Sequence, residues 1–244
     1  MKKLNKFCLA RKLIKDGKKS HYINNGKRRI YNNACKTQEL VKDKDKLLDI
    51  GGHPHLGHGY SFEEYTKTIC DVEYSWVNRS RIDIRTETLP YDTETFDIVV
   101  CHEAIEHFWL MKWGGMLSWD GIINFWNESY RVLKKGGVFY LSTRNRVCPL
   151  AISHIFKNEP VQVAPSKLNR SGHVREFSPS DLRDIVAHTN LFSNYNIYSQ
   201  SSIPTSLQRD MDKKTLAMED FLGKKFLQEE AYDTLNFISR KSYL

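Results

Sequence analysis

The residues best suited to chemistry fall in one stretch, FDIVVCHEAIEHF, residues 96–108. An apolar, β-branched run from Phe96 to Val100 is broken only by Asp97. Cys101, His102, Glu103, Glu106 and His107 follow. The run reads as a buried strand of a parallel sheet, and the residues after it as the strand mouth opening into a helix. On a helix Glu103, Glu106 and His107 stand at i, i+3 and i+4 and share one face. Two carboxylates and an imidazole then converge at the carboxyl end of a central strand, where open α/β sheets bind ligands. His102 and His107 are both candidates for a general base, because an imidazole titrates near neutral pH.

The elements that must position this cluster follow an alternating rhythm. Strands are expected at 46–50, 66–72, 81–84, 96–101, 138–143, 194–199 and 232–240. Between them, Ser61 with Glu64 opens a capped helix, Asp120 caps a helix over 121–134 with Gly136-Gly137 as its stop, and Ser178-Pro179 starts one over 180–188. A charged helix is expected over 207–226. Alternating strands and helices call for an α/β fold, a doubly wound, mostly parallel sheet. Residues 109–120, aromatic and glycine-bearing, read as an inserted lid. Residues 1–44 read as a separate basic arm with two short elements and a turn at Asn25-Gly26, and 45–244 as the main domain.

The chain has 244 residues and 40% hydrophobic residues, the size of one well-buried domain. No apolar run reaches the roughly 18 residues that span a bilayer, and no signal-peptide core is visible. The five cysteines (Cys8, Cys35, Cys70, Cys101, Cys148) are scattered, which suits a reducing, cytoplasmic compartment. The formal charge of +8 is uneven: residues 1–46 carry a net +11 and the rest a net −3. Such an arm suits an anionic partner (nucleic acid, a phosphorylated or nucleotide-linked substrate, a membrane surface) or serves as a solvated extension.

Several stretches, in order, resemble the class I S-adenosylmethionine-dependent methyltransferases. LLDIGGHPHLG, residues 47–57, is similar to the cofactor-binding strand and turn of that family through Asp49, Gly51 and Gly52, although His53 and His55 stand where further glycines are usual. Asp71, with Glu73 as alternative, matches the family's ribose-binding carboxylate at the end of a second strand. Asp83, before LPYDTETFDIVV, matches an acid near the adenine. RVLKKGGVFYLSTRN, residues 131–145, is similar to the family's helix, double-glycine turn and following strand. The resemblance implies a seven-stranded sheet with an antiparallel last strand, S-adenosyl-L-methionine as cofactor, and His102 beside it.

EAIEH, residues 103–107, resembles a motif of two branches: the small-RNA 3'-end 2'-O-methyltransferases and the O-methyltransferases of ubiquinone synthesis. In the first branch the two acids and two histidines bind a divalent metal. That implies Glu103, Glu106, His107 and a distant His173 around Mg²⁺ or Mn²⁺, with His173 a further candidate base. The stretch GHVREFSPSDL around His173 is also similar to a segment of bacterial surface-polysaccharide methyltransferases. The expected function is therefore O-methylation of a sugar hydroxyl in a glycan or nucleotide-linked sugar. RNA 3'-end 2'-O-methylation is the alternative, with a quinone or catechol substrate and a non-catalytic methyltransferase-fold binding protein behind it. Trp109, Trp113 and Trp119 suit stacking on the acceptor or packing of the lid. Arg144, Arg146 and Arg175 suit a phosphate or carboxylate, or a charged surface.

Overall fold

A computed structural model describes residues 21–52, 66, 71–78, 81–149, 151–152, 175–200 and 205–243. In chain order these form α1 (His21–Leu40), β1 (Lys46–Ile50), β2 (Glu73–Val77) and β3 (Phe96–His102). A short hairpin follows, β4 (Leu110–Met111) and β5 (Leu117–Ser118). Then come α2 (Asp120–Val132), β6 (Leu133–Arg144), α3 (Pro179–Thr189), β7 (Tyr195–Gln200), α4 (Thr205–Leu222) and β8 (Thr234–Arg240). The main sheet has six strands in the order β2-β1-β3-β6-β8-β7. β2, β1, β3 and β6 pair in parallel, and β8 runs antiparallel to both its neighbours. The mostly parallel sheet and the reversed last strand agree with expectation. The chain leaves β1 towards β2 and returns across β1 to β3, so a topological switch point lies at the carboxyl ends of β1 and β3.

The sheet is buried on both faces, which is why its strands read as continuous apolar runs. The two-residue period sends Leu48, Ile50, Val99 and Phe139 to one core and Leu47, Ile98, Val100 and Tyr140 to the other. In the first core Trp126 of α2 is fully enclosed and meets Phe139, Phe192 and Phe237 with ring centroids 5.2, 5.7 and 5.1 Å apart. Truncating such an aromatic costs about 3–5 kcal/mol. α2 ends where Lys241, buried at 6% exposure, donates to Tyr130 O at 2.9 Å and Leu133 O at 2.8 Å, a cation on the helix's terminal carbonyls.

Several expectations are corrected. The third strand over 81–84 is instead a set of hydrogen-bonded turns, with Ile82 N donating to Asn78 O at 3.1 Å and Thr86 N to Asp83 O at 2.9 Å, so six strands rather than seven form the sheet among the described residues. The strand expected over 66–72 begins later, at Glu73. Gly136-Gly137 does not stop a helix. It lies inside β6, which begins at Leu133 directly after α2. Asn25-Gly26 is no turn but part of α1. That helix packs on the sheet: Ala34 is buried in the second core, and Asn33 Nδ2 donates to Ser142 Oγ of β6 at 2.8 Å. The helix expected from Ser61 lies outside the described residues, apart from helical Thr66. No helix among the described residues is long and apolar enough to cross a membrane.

Candidate active site

The carboxyl edge of the sheet divides into a groove and a charged rim, separated by the turn 103–108. The groove begins at Gly51. The ladder between β1 and β2 runs one step past the strand, Gly51 N donating to Val77 O at 2.8 Å, and there φ turns to +91°. A Cβ at this position would lie 2.3 Å from the Ala104 Cβ. Positive φ and close approach of two backbones both require glycine. Beneath it Asp49, 3% exposed, accepts a 2.5 Å hydrogen bond from the Tyr74 hydroxyl. Its Oδ2 would be 2.5 Å from a Cβ on Gly52, so the carboxylate packs directly against the turn and leaves no room for a side chain there.

From this floor a groove of about 330 Å³ extends between Val77-Asn78 on one side and Ala104, His107 and Phe108 on the other. The turn 82–85 forms its far wall. Asp83 holds Arg85 through Nε at 2.7 Å and Nη2 at 2.6 Å, and it is the main reason the guanidinium pKa is raised. Asn124 of α2 donates to Ile84 O at 2.8 Å and Glu87 O at 3.0 Å, tying the wall to the core.

The rim is built differently. EAIEH does not form an α-helix. Glu103 takes φ +53°, left-handed for a residue with a side chain, and Ile105–His107 make a single 3₁₀ turn. The three groups therefore face different surroundings, with Glu103 and Glu106 still interacting electrostatically. His107 lines the groove. Glu106 is fully buried, accepts from Thr143 Oγ1 at 2.9 Å, and is pushed up to about 8 by burial, reinforced by Glu103. Glu103 Oε2 lies 3.3 Å from Arg29 Nε of α1 and 3.8 Å from Arg144 Nε of β6. Asp233, before β8, lies 3.9 Å from Arg29 Nη1. Glu103 first, with Asp233, Glu106 and Glu176 behind it, raises the Arg29 pKa against the cost of burial.

Among the described residues, Glu103, Glu106 and His107 do not make a metal-ligand set by themselves. The Glu103 carboxylate faces guanidiniums and the Glu106 carboxyl faces Thr143. Among the described residues no three His, Cys, Asp or Glu side chains are grouped to hold a metal. His173 lies outside the described residues.

Gly51 and Asp83 line the groove, with Asp49 and Gly52 beneath its floor. Asp71 does not end the second strand. It precedes β2, as Glu73 begins it, so both stand at the amino edge. The carboxyl end belongs to Asn78, which lines the groove. His102 is not among the groove-lining residues. Its Nδ1 is 2.9 Å from Ser142 Oγ, its ring meets Tyr140 edge-on at 4.7 Å, and burial pushes its pKa down to about 3, which keeps the ring neutral at pH 7. Trp109 is buried beside Trp119 and Phe177, with the Arg175 guanidinium over both indoles, whereas Trp113 at the hairpin tip is 99% exposed. Asn78, Arg85, Ala104, Phe108 and Arg29 escaped the sequence reading. Only an exact strand end could have pointed to Asn78, and nothing in the sequence links Arg29 to Glu103.

Comparison with known proteins adds the family context. The family described as "Methyltransferase domain" matches residues 64–141. A curated protein of Mycolicibacterium smegmatis, described as "Probable S-adenosylmethionine-dependent methyltransferase", is 33% identical over 92 residues. The match takes in 36% of this chain, and the chain spans 30% of that relative's length. Among solved structures, a SAM-dependent methyltransferase from Archaeoglobus fulgidus superposes with a TM-score of 0.52 at 12% identity, over 87% of this chain and 93% of that one. A chain from the complex of the Haloferax volcanii Trm112 methyltransferase activator with a methyltransferase gives 0.50 at 15% identity, over 89% and 92%. At these identities the structural likeness concerns the fold.

Proposed function

We propose that this chain is a class I methyltransferase that binds S-adenosyl-L-methionine in the groove and methylates a hydroxyl of a sugar-bearing acceptor, a reading supported by its fold and by the domain match over residues 64–141. One observation carries the reading: a cleft at the topological switch point, floored by a glycine whose φ of +91° and contact with Ala104 disfavour any side chain, and walled by the Asp83 turn. Gly51, kept without a side chain by its contact with Ala104, lines the groove together with Ala104, so a ligand there lies against the backbone of the turn. Asn78, at the end of β2, stands where an amide can bond ribose hydroxyls, in place of the acid the resemblance assigned. Asp83 and Arg85 border the adenine end. When bound, the cofactor supplies an electrophilic methyl group.

The remaining work belongs to the chain's own side chains. His107, on the groove beside Phe108, is positioned to take the acceptor's proton at an imidazole nitrogen, and the need for such a base favours a hydroxyl acceptor. Ala104 and Phe108 keep water from the reacting end. Glu106, held protonated at neutral pH by burial, packs under the turn that carries His107. The sugar is supported by the resemblance of EAIEH and of the stretch around His173. No step is assigned to a metal.

The test is a methyl-transfer assay over free and phosphorylated sugars, RNA oligomers and catechols, with magnesium, manganese or EDTA. Sugar acceptors are expected to turn over, and His107→Ala to lower kcat by about 10²–10⁴-fold with cofactor affinity within a few-fold. A near-normal rate in that variant removes His107 from the reaction, and turnover of RNA or catechol alone overturns the sugar assignment.

A further inference from the structure

At the carboxyl ends of β3 and β6 three guanidiniums hold donors that nothing receives. Arg29, Arg144 and Arg146 each enclose an Nε–H with no hydrogen-bond acceptor among the described residues. Arg29 and Arg144 lie 3.3 and 3.8 Å from the same Glu103 oxygen, an ion pair without hydrogen-bond geometry, and Glu103 Oε1 likewise lacks a donor. The carboxylate is thus stretched between two cations and satisfies neither, on a residue already at φ +53°. Arg146, two residues along from Arg144, reaches Asp181 through Nη2 at 3.1 Å. That acid is already committed to Ser178 N, Ser178 Oγ and Arg175 Nη2, each at 2.7 Å. Arg29 is only 15% exposed, so its charge is not simply solvated.

The Arg144 and Arg146 side chains are 36% and 37% exposed, and Arg146 Nη2 also bonds Asp181 Oδ1 at 3.3 Å, so it is the three enclosed Nε–H groups that lack acceptors among the described residues. Enclosed N–H groups are normally paired, and such a set calls for a missing partner. The fork of a guanidinium matches the paired oxygens of a phosphate or carboxylate. We propose that Arg29, Arg144 and Arg146 form an oxyanion subsite for the acceptor, which carries a phosphate or carboxylate beside the hydroxyl to be methylated. The anion displaces Glu103 and receives the enclosed N–H groups. This rests on the methyl-transfer reading for its role, though not for its existence. It places the acceptor among phosphorylated or acidic sugars.

The test is titration of the full chain with inorganic phosphate and, separately, acetate, at constant ionic strength. Saturable phosphate binding is expected, weakened about tenfold or more by Arg144→Gln and by Arg146→Gln. Glu103→Gln, which removes the competing charge, is expected to tighten it several-fold. Lys134→Gln, at the opposite edge of the sheet beside Asp97, is expected to leave it unchanged. S-adenosylhomocysteine affinity should stay within twofold in Arg144→Gln, which shows the variant is folded. Acetate binding with the same variant pattern assigns a carboxylate, and phosphate binding alone assigns a phosphate. No saturable binding of either anion, or equal binding by wild type and both arginine variants, overturns the subsite. If phosphate binds with this pattern while S-adenosylhomocysteine does not bind at all, the methyl-transfer reading fails and the subsite stands.

Discussion

The groove and the rim flank the same six-residue turn, yet they are held in opposite ways. The groove is fixed by backbone: a glycine at φ +91°, a ladder bond from Gly51 to Val77, and a wall tied to α2 through Asn124. Its one ion pair, Asp83 with Arg85, is short and bidentate. The rim gathers charges from α1, β3, β6 and the segment before β8, and leaves several of their polar atoms unsatisfied. A site whose walls are complete before the ligand arrives suits a constant cofactor. A site whose hydrogen bonds are incomplete suits a substrate that supplies the missing acceptors.

The largest effect that separates the two regions is expected at Gly51. Gly51→Val drives a side chain into Ala104 at a positive φ, and both strain and overpacking follow. Cofactor binding should be lost, with stability lower by about 3 kcal/mol or more in urea denaturation. Phosphate binding at the rim should persist in the folded fraction. Retained cofactor affinity would mean the floor is misplaced.

The rim should instead report itself through pH. Glu106, with a folded pKa of about 8 against an ordinary 4.5, binds its proton more tightly when folded. Its contribution is full below pH 4.5 and is lost as pH rises to about 8. Glu106→Gln should flatten that decline, a change on the order of a few kcal/mol between pH 5 and 8. His102 works in the other direction. Its depressed pKa of about 3 makes the fold lose stability as pH falls from 6.5 towards 3, and His102→Gln should relieve the acid limb. Melting curves from pH 4 to 9 measure both. An unchanged slope in Glu106→Gln would show that its carboxyl is not held protonated.

Smaller effects sharpen the contrast. Asp83→Asn frees Arg85 from the groove wall, and should weaken S-adenosylhomocysteine by about tenfold in calorimetry while leaving the pH profile of stability in place. Trp113→Ala removes a side chain that touches almost nothing, so the melting midpoint should shift by less than about 0.5 kcal/mol equivalent. A larger loss would place the hairpin tip against a surface of the protein itself.

The sequence was most readable where local pattern decides structure. The apolar runs of β1 and β3 and the Ser178-Pro179 helix start emerged close to their observed bounds, because sheet burial and a proline at the first helical turn are local signals. The turn 81–87 was misread because Ile82 and Ile84 alternate like a strand although they face the groove. Asp71 was misplaced because β2 starts only at Glu73, and an acid just before a strand looks like one just after it. EAIEH has perfect helical spacing, but Glu103 extends the β3–β6 ladder, donating to Ser142 O at 2.9 Å, and that tertiary bond overrides the helix. The Arg29 contact joins residues far apart in the chain, and no periodicity encodes such a meeting.

The most direct measurement of the central claim is hydrogen–deuterium exchange of the whole chain with and without S-adenosylhomocysteine. The account predicts protection at Gly51, at Asn78, through the turn 82–85 and at 104–108, with none at the amino edge around Asp97. Exchange that does not change with the ligand, or protection confined to other elements, would contradict it.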